Sequence, residues 1–164
     1  MYAQRNATTA PRPRQGFNRP VPVRLRMGLI MRKGMDFGPL GDMETALRFD
    51  GVSLAPVSTG DASLVSGGVT VLATATADDI SGGRVKGVVA PGGATDEAGV
   101  AQVKALLALS QAQGLPVLAF GEGVALAAEV YGVAAEAPGA VFQGDKVALI
   151  NDRAQLSAVV ATIS

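Results

Sequence analysis

The amino-acid sequence predicts an α/β domain in which a mostly parallel sheet carries helices on both faces. Short apolar runs of strand length alternate with longer segments of helical periodicity, which is typical of such a sheet. The 164 residues are 48% apolar and 17% charged, so they fit one domain with a sizeable core. Aromatic residues make up only 4% of the chain, and small aliphatic side chains suit helices that pack closely on a sheet.

The first elements of this sheet are two apolar runs with a helix between them. Strands are predicted over Val23 to Met31 and over Val52 to Val57 because both runs have strand length and composition. Between them, apolar residues spaced three and four apart predict a helix that opens at Gly38-Pro39 and stops at Gly51.

A hairpin and a buried strand are predicted next. Gly67-Gly68 separates the apolar runs Leu64-Val65 and Val69 to Leu72, and a glycine pair there favours a tight hairpin turn. Val85 to Ala90 carries Lys86 as its only charge, as expected of a strand covered on both faces.

The second half of the chain repeats the alternation. The predicted elements are a helix capped by Thr95-Asp96-Glu97 that stops at Gly114, a strand over Pro116 to Phe120, a helix after Gly121-Glu122-Gly123 that ends at Gly132, a strand over Lys146 to Asn151 and a helix over Gln155 to Ile163. In such sheets ligands bind beyond the carboxyl ends of the strands.

Residues 1–22 are predicted to form an extended arm, followed by the folded domain over residues 23–164. The arm is polar, contains four prolines and has no helical or alternating period. Eight of the fourteen basic residues lie within residues 1–35, whereas all fourteen acidic residues lie from Asp36 onward. The arm arginines that we expect to bind a partner are Arg5, Arg12, Arg14 and Arg19.

Three interpretations of this basic arm stay open. Docking on an acidic protein surface, including that of a neighbouring copy, agrees with the acidic charge of the domain. A solvated tail is the simplest alternative. Binding to nucleic acid is disfavoured because an acidic domain repels phosphates and the arm offers only Tyr2 and Phe17 for base stacking.

The chain contains no cysteine and no histidine. Disulfides, thiolate metal sites and a serine–histidine pair are therefore excluded, and the lack of cysteine suits a cytoplasmic location. No run of about 18 apolar residues predicts a membrane span. The adjacent carboxylates Asp78 and Asp79 favour a solvated turn over a metal site, so no metal is expected.

The turn Gly121-Glu122-Gly123 begins a G-x-G-x-x-G pattern between a strand and a helix. Such a turn can bring backbone N–H groups to a phosphate, but the sixth position is Leu126, and Glu122 would repel an anion. A structural turn is the favoured interpretation. Glu122 itself could act as an acid or base, or could simply stabilise the start of the helix.

In order and spacing, four segments resemble the ThiJ/PfpI superfamily, relatives of the class I glutamine amidotransferases with a flavodoxin-like sheet. The segments are Gly34 to Gly51, Val88 to Gly93, Pro116 to Gly123 and Val147 to Arg153. The resemblance covers residues 27–162 and implies a flavodoxin-like, doubly wound fold. The Gly-Glu-Gly turn also resembles the C-terminal flavodoxin-like domain of large-subunit catalases, which is a noncatalytic appendage.

The resemblance implies three chemical positions, and all three are altered in this chain. A cysteine is implied where Gly121 stands, a glutamate at the position aligned with Pro39, and often a histidine between Gly132 and Lys146, where there is none. A nucleophile at such a turn holds a strained backbone conformation that glycine adopts without penalty. Loss of the side chain is therefore expected to stabilise the domain.

We expect a noncatalytic ThiJ/PfpI-like domain, not an enzyme, that serves as a structural or accessory subunit without a cofactor. The arm is expected to dock on a protein partner or on a neighbouring copy. The alternative is a small-molecule or nucleotide binder that uses a remnant pocket. The candidate residues of this pocket are Pro39, Gly92, Gly93, Gly121 and Glu122.

Overall fold

The structure is a computed structural model, and it describes residues 25–32, 35–38, 41–59, 63–66, 69–93, 97–136 and 138–163. The predicted arm with its four arginines, the proposed boundary at residue 23 and the pocket candidate Pro39 lie outside the described residues.

Eight strands and five helices form the described part of the chain. The strands are β1 Leu25–Ile30, β2 Val52–Val57, β3 Ser63–Ser66, β4 Val69–Leu72, β5 Val88–Ala90, β6 Val117–Phe120, β7 Gly139–Gln143 and β8 Lys146–Ile150. The helices are α1 Met43–Phe49, α2 Ala77–Ser81, α3 Glu97–Ala112, α4 Glu122–Tyr131 and α5 Arg153–Ile163.

Six of the strands form one sheet in the order β2-β1-β5-β6-β7-β8, and β3 and β4 form a separate hairpin. Strands β2, β1, β5 and β6 are parallel, whereas β7 and β8 are antiparallel to their neighbours. The mostly parallel α/β sheet is therefore confirmed, as is the hairpin over the two runs beside Gly67-Gly68.

Helices cover both faces of the sheet and divide its core into two clusters. Helices α2, α3 and α4 contribute to the first cluster, which includes Ile80, Leu107 and Ala127. Helices α1 and α5 contribute to the second, which includes Leu47 and Leu156. Both leucines are fully buried, and removing such a side chain from water contributes about 2 kcal/mol. The doubly wound arrangement follows from these two apolar faces.

Helix α1 begins later than predicted. Its first residue is Met43 and its N-cap is Asp42, so the predicted opening at Gly38-Pro39 is wrong. The Asp42 carboxylate accepts hydrogen bonds from the Thr45 backbone N–H at 3.0 Å and from the Thr45 hydroxyl at 2.6 Å. The hydroxyl bond in particular lowers the pKa of Asp42. A carboxylate at this place satisfies free N–H groups of the first turn and is stabilised by the helix dipole.

Two elements, strand β7 and helix α2, were not predicted from the sequence. Strand β7 forms a hairpin with β8 across the loop Gly144-Asp145. Asp78 and Asp79, expected in a solvated turn, lie in the first turn of α2. The Asp79 carboxylate accepts from the Thr76 backbone N–H at 2.8 Å and pairs with Arg84, and the bond to Arg84 lowers the pKa of Asp79.

In the ranges that the structure describes, none of the helices is both long and apolar enough to cross a bilayer.

Tyr131 on α4 carries a buried hydroxyl with no hydrogen-bond partner among the described residues. Replacing Tyr131 with phenylalanine is expected to stabilise the domain by about 1 kcal/mol, because the desolvation cost of the hydroxyl is removed while the ring contact with Phe142 at 5.4 Å is kept. Urea unfolding of both proteins near neutral pH would measure this difference. A less stable phenylalanine variant would show that the hydroxyl has a partner.

The stability difference between the parent protein and the Tyr131→Phe variant is expected to depend on pH in alkaline solution. Burial raises the pKa of Tyr131 from 10.0 to about 12. The folded state therefore keeps the neutral hydroxyl while the unfolded chain ionises, so stability falls as the pH rises from about 10 through about 12. The phenylalanine variant lacks this contribution, and its advantage over the parent protein should grow across that interval.

Candidate functional site

The predicted site lies at the carboxyl ends of β5 and β6, where two glycine-containing turns meet. Gly121 connects β6 to α4 and is the N-cap of that helix, with φ +56° and ψ −130°. Residues that carry a side chain rarely adopt this backbone conformation, whereas glycine adopts it without steric cost. The strand-to-helix turn is therefore as sharp as the sequence predicted, and no side chain projects from its apex.

Close packing of α4 against β5 explains the second glycine of the turn. A Cβ atom on Gly123 would lie 2.2 Å from the carbonyl oxygen of Ala90. Across the same contact, a Cβ atom on Gly92 would lie 3.0 Å from the backbone nitrogen of Glu122. Gly123 therefore requires glycine for packing, and a side chain at Gly92 would be tightly packed, independently of any ligand.

Residues Met35 to Gly38, which we call the cover segment, lie over the Gly121 turn. Asp36 and Gly92 pair through two backbone hydrogen bonds of 3.0 and 2.8 Å. A Cβ atom on Gly38 would lie 3.2 Å from the Cα of Gly121, so the two backbones are in direct contact. The half-buried ring of Phe37 packs 5.7 Å from that of Phe120. The space above the apex of the turn is thus occupied by protein backbone.

Two of the backbone N–H groups at these turns are already engaged by the protein. The N–H of Gly121 donates to the carbonyl oxygen of Pro138 at 3.1 Å, and that of Gly92 donates to Asp36 at 2.8 Å. A phosphate would have to displace these bonds to be bound by either group. This arrangement favours the structural interpretation of the turn.

Arg32, two residues after the end of β1, is a site residue that sequence reasoning missed. The sequence identifies it only as one of the eight basic residues within residues 1–35, but its side chain is buried, with 4% of the residue exposed. Its guanidinium donates to the carbonyl oxygens of Pro91 at 3.2 Å and of Gly93 at 3.4 Å. Arg32 therefore holds the turn after β5 in place. A basic residue shortly after an apolar strand was the available signal.

The structure brings together three of the predicted pocket residues, Gly92, Gly121 and Glu122. Gly93 adjoins them through its carbonyl bond to Arg32. Glu122 is exposed in the first turn of α4, where the helix dipole favours a carboxylate. Within the described ranges, no group of three or more acidic side chains is placed to hold a metal ion.

Comparisons with known proteins agree with this fold. No protein-family model matches the chain, and no curated protein matches it. A solved structure of a protein assigned as protease I from Bacteroides thetaiotaomicron is similar, with a TM-score of 0.61, 9% identity, and coverage of 85% of this chain and 99% of that one. A cysteine-to-alanine mutant of a DJ-1 superfamily protein from Salmonella typhimurium has a TM-score of 0.56 and 17% identity, covering 84% of this chain and 91% of that one.

The chain has the ThiJ/PfpI fold. At these identities the likeness concerns the fold alone. This fold agrees with the resemblance to the ThiJ/PfpI superfamily that the sequence motifs carry. That resemblance implies a cysteine at the position where this chain has Gly121. The assignments of the pocket candidates, Gly121 included, and of the arm arginines stay predictions.

Proposed function

We propose that the protein is a noncatalytic ThiJ/PfpI-like subunit that acts through protein–protein contacts, with its basic arm as the docking element. The observation that carries this proposal is the apex of the turn between β6 and α4. A hydrogen atom at the Cα of Gly121 stands where the resemblance implies a nucleophile. The chain also contains no cysteine and no histidine elsewhere that could replace that group or its base.

The cover segment supports the same proposal. Gly38 contacts the apex from above, and Asp36 joins the turn after β5 by two backbone hydrogen bonds. A substrate would have to displace this backbone before it reached the turn. Although one structural neighbour is assigned as a protease, peptide hydrolysis by this chain would require a nucleophile and a base that the turn does not provide.

A small-molecule or nucleotide binder remains the alternative. It predicts that some metabolite or nucleotide raises the melting temperature. Our proposal predicts that a thermal-shift screen against both classes gives no stabilising compound.

The arm is tested by reversing its charge in the full chain. Changing Arg5, Arg12, Arg14 and Arg19 together to glutamate is expected to weaken binding to the cellular partner by about tenfold or more, because the complementary charges then repel. Native mass determination of tagged protein from the source cells reports the complex and its stoichiometry. A matched variant with four lysines keeps the charge and should retain the complex. An undiminished complex with four glutamates would refute the role of the arm.

A further inference from the structure

An apolar groove of about 700 Å³ lies between α5 and the β7–β8 hairpin, and we call it the α5 groove. Its apolar walls are formed by Val141, Ala148, Ala158, Val159 and Ile163. Ala148 and Ala158 are exposed, so two apolar wall residues face solvent in the described part of the chain. A groove of this volume accommodates an aromatic side chain and the residues beside it. The described residues that line it all lie outside the candidate site.

The register of the sheet places the α5 groove near the start of β1. Paired residues form a row across the strands from β1 to β8, which consists of Gly28, Val88, Val117, Phe142 and Val147. Leu25, the first residue of β1, and Gly144, in the loop before β8, each precede this row by three positions. Because β1 and β8 run in the same direction, both residues lie toward the same end of the sheet. Residues 1–24 therefore join the sheet at the end where this loop lies, and the loop is flanked by the groove residues Gln143, Asp145 and Lys146.

The α5 groove also lies on the face of the sheet toward which Leu25 points. Leu25 belongs to the second core cluster, against which Val141, Val159 and Ile163 of the groove walls also pack. Because Thr162 and Ile163 line the groove together with the residues that flank the loop, the C-terminal end of α5 lies at this end of the sheet. A segment that leads from Leu25 to the groove therefore stays on one face and passes the C-terminal end of α5.

The distance from β1 to this groove selects one residue of the arm. Four strand spacings separate β1 from β8, and together with the twist of the sheet they place Leu25 about 20 to 25 Å from the hairpin loop. Pro20 and Pro22 favour an extended chain of about 3.1 Å per residue. Phe17 precedes Leu25 by eight positions, which corresponds to about 25 Å, whereas Val21 reaches only about 12 Å. Phe17 is therefore the large apolar residue of the arm at the distance of the groove.

We propose that Phe17 of the arm binds in the α5 groove of its own chain, with Arg19 at the C-terminal end of α5. The last turn of this helix contains no basic residue, and the free carbonyl groups at a helix C-terminus attract a cation. Arg19 lies between Phe17 and β1, on the stretch that passes this end of the helix. The groove itself is lined by one carboxylate, Asp145, and one ammonium group, Lys146, which together favour neither sign of charge. The apolar contact of Phe17 and the helix end thus determine the fit.

The short connection to β1 favours Phe17 of the same chain over any separate molecule. A segment tethered by eight residues is present at an effective concentration of about a millimolar, which a dilute partner does not reach. The contact holds the arm beside the domain and leaves Arg5, Arg12 and Arg14 available for the partner contacts proposed above. Because it concerns packing within the isolated chain, this inference does not depend on those contacts.

Phe17→Trp in the purified full chain tests this proposal, because the chain contains no tryptophan and the new indole is then its only one. Its fluorescence should be quenched by acrylamide with a constant about threefold or more lower than that of a Tyr2→Trp protein, since the groove shields the indole from solvent. Tyr2→Trp is the matched control, because it places the same reporter on the arm far from the groove.

A substitution in the groove identifies where the indole binds. Ala158→Lys, added to the Phe17→Trp protein, should raise the quenching constant to that of the Tyr2→Trp protein, because it places an ammonium group in the apolar groove. The matched control is Ala154→Lys, at an exposed residue of the same helix that is not among the described groove residues. It should leave the quenching constant unchanged, and circular dichroism should show that both variants remain folded.

Any of three results would overturn the proposal. These are equal quenching of the Phe17→Trp and Tyr2→Trp proteins, equal effects of Ala158→Lys and Ala154→Lys, and protection of the indole that is lost on dilution from about 50 μM to about 0.5 μM, which would indicate a separate molecule as the occupant. All three leave the proposed docking function intact, because that function is measured as a complex in cells and not by solvent access to residue 17.

Discussion

Replacing Gly123 with alanine is expected to destabilise the domain by about 3 kcal/mol or more, one of the two largest effects that we predict for a single substitution. The added Cβ would lie 2.2 Å from the carbonyl oxygen of Ala90, and both atoms belong to regular elements, α4 and β5. Neither is the end of a flexible side chain, so the helix must move away from the sheet. Equilibrium unfolding in urea measures the loss.

Gly114→Ala is the matched control for this substitution. Gly114 has φ +69°, and a Cβ atom there would meet nothing within 4 Å, so the control carries a conformational cost of about 1 kcal/mol without a steric one. A Gly123 variant that is no less stable than this control would contradict the close approach of α4 to β5.

Gly121→Ala is expected to destabilise the domain by about 1 to 3 kcal/mol, for a different reason. The new Cβ would meet the carbonyl oxygen of Asp36 at 3.4 Å and the nitrogen of Gly38 at 3.5 Å, which are ordinary contacts. The cost therefore comes from φ +56° and ψ −130°, a conformation that alanine rarely adopts. The same unfolding measurement applies, and Ala125→Gly on the exposed side of α4 serves as a control for changes in the helix itself.

This second result also bears on the proposed function. If a side chain at the apex costs free energy, a chain without catalysis gains stability by carrying glycine there. An alanine variant as stable as the parent would remove this explanation for Gly121, although it would not restore a nucleophile.

The elements that could be predicted from sequence are those with strong local signals. The bounds of β2 agree with its apolar run, and α4 ends beside Gly132 as predicted. The start of α1 was not predicted, because the sequence favours Gly38-Pro39 as its beginning, whereas the N-cap is Asp42, whose carboxylate accepts from the Thr45 N–H. Strand β7 could not be predicted in this way. It begins with Gly139-Ala140, and these small residues show no clear alternation of apolar and polar positions.

At the candidate site, the glycine turn was predictable because its conformation depends on adjacent residues. The position of the cover segment was not predictable, because Asp36 pairs with Gly92, which is distant in sequence. No local sequence pattern indicates such a hydrogen bond. The burial of Arg32 likewise depends on the carbonyl groups of Pro91 and Gly93, which the fold supplies. Charge counting alone shows this residue only as one of the eight basic residues within residues 1–35.

The mixed direction of the sheet has a consequence for folding kinetics. Strands β6, β7 and β8 pair with their neighbours in sequence, so these contacts close short loops. By contrast, β1 pairs with β5 through Gly28 and Val88, sixty positions apart. The entropic cost of loop closure is therefore greater in the parallel half, and we expect formation of that half to limit the folding rate.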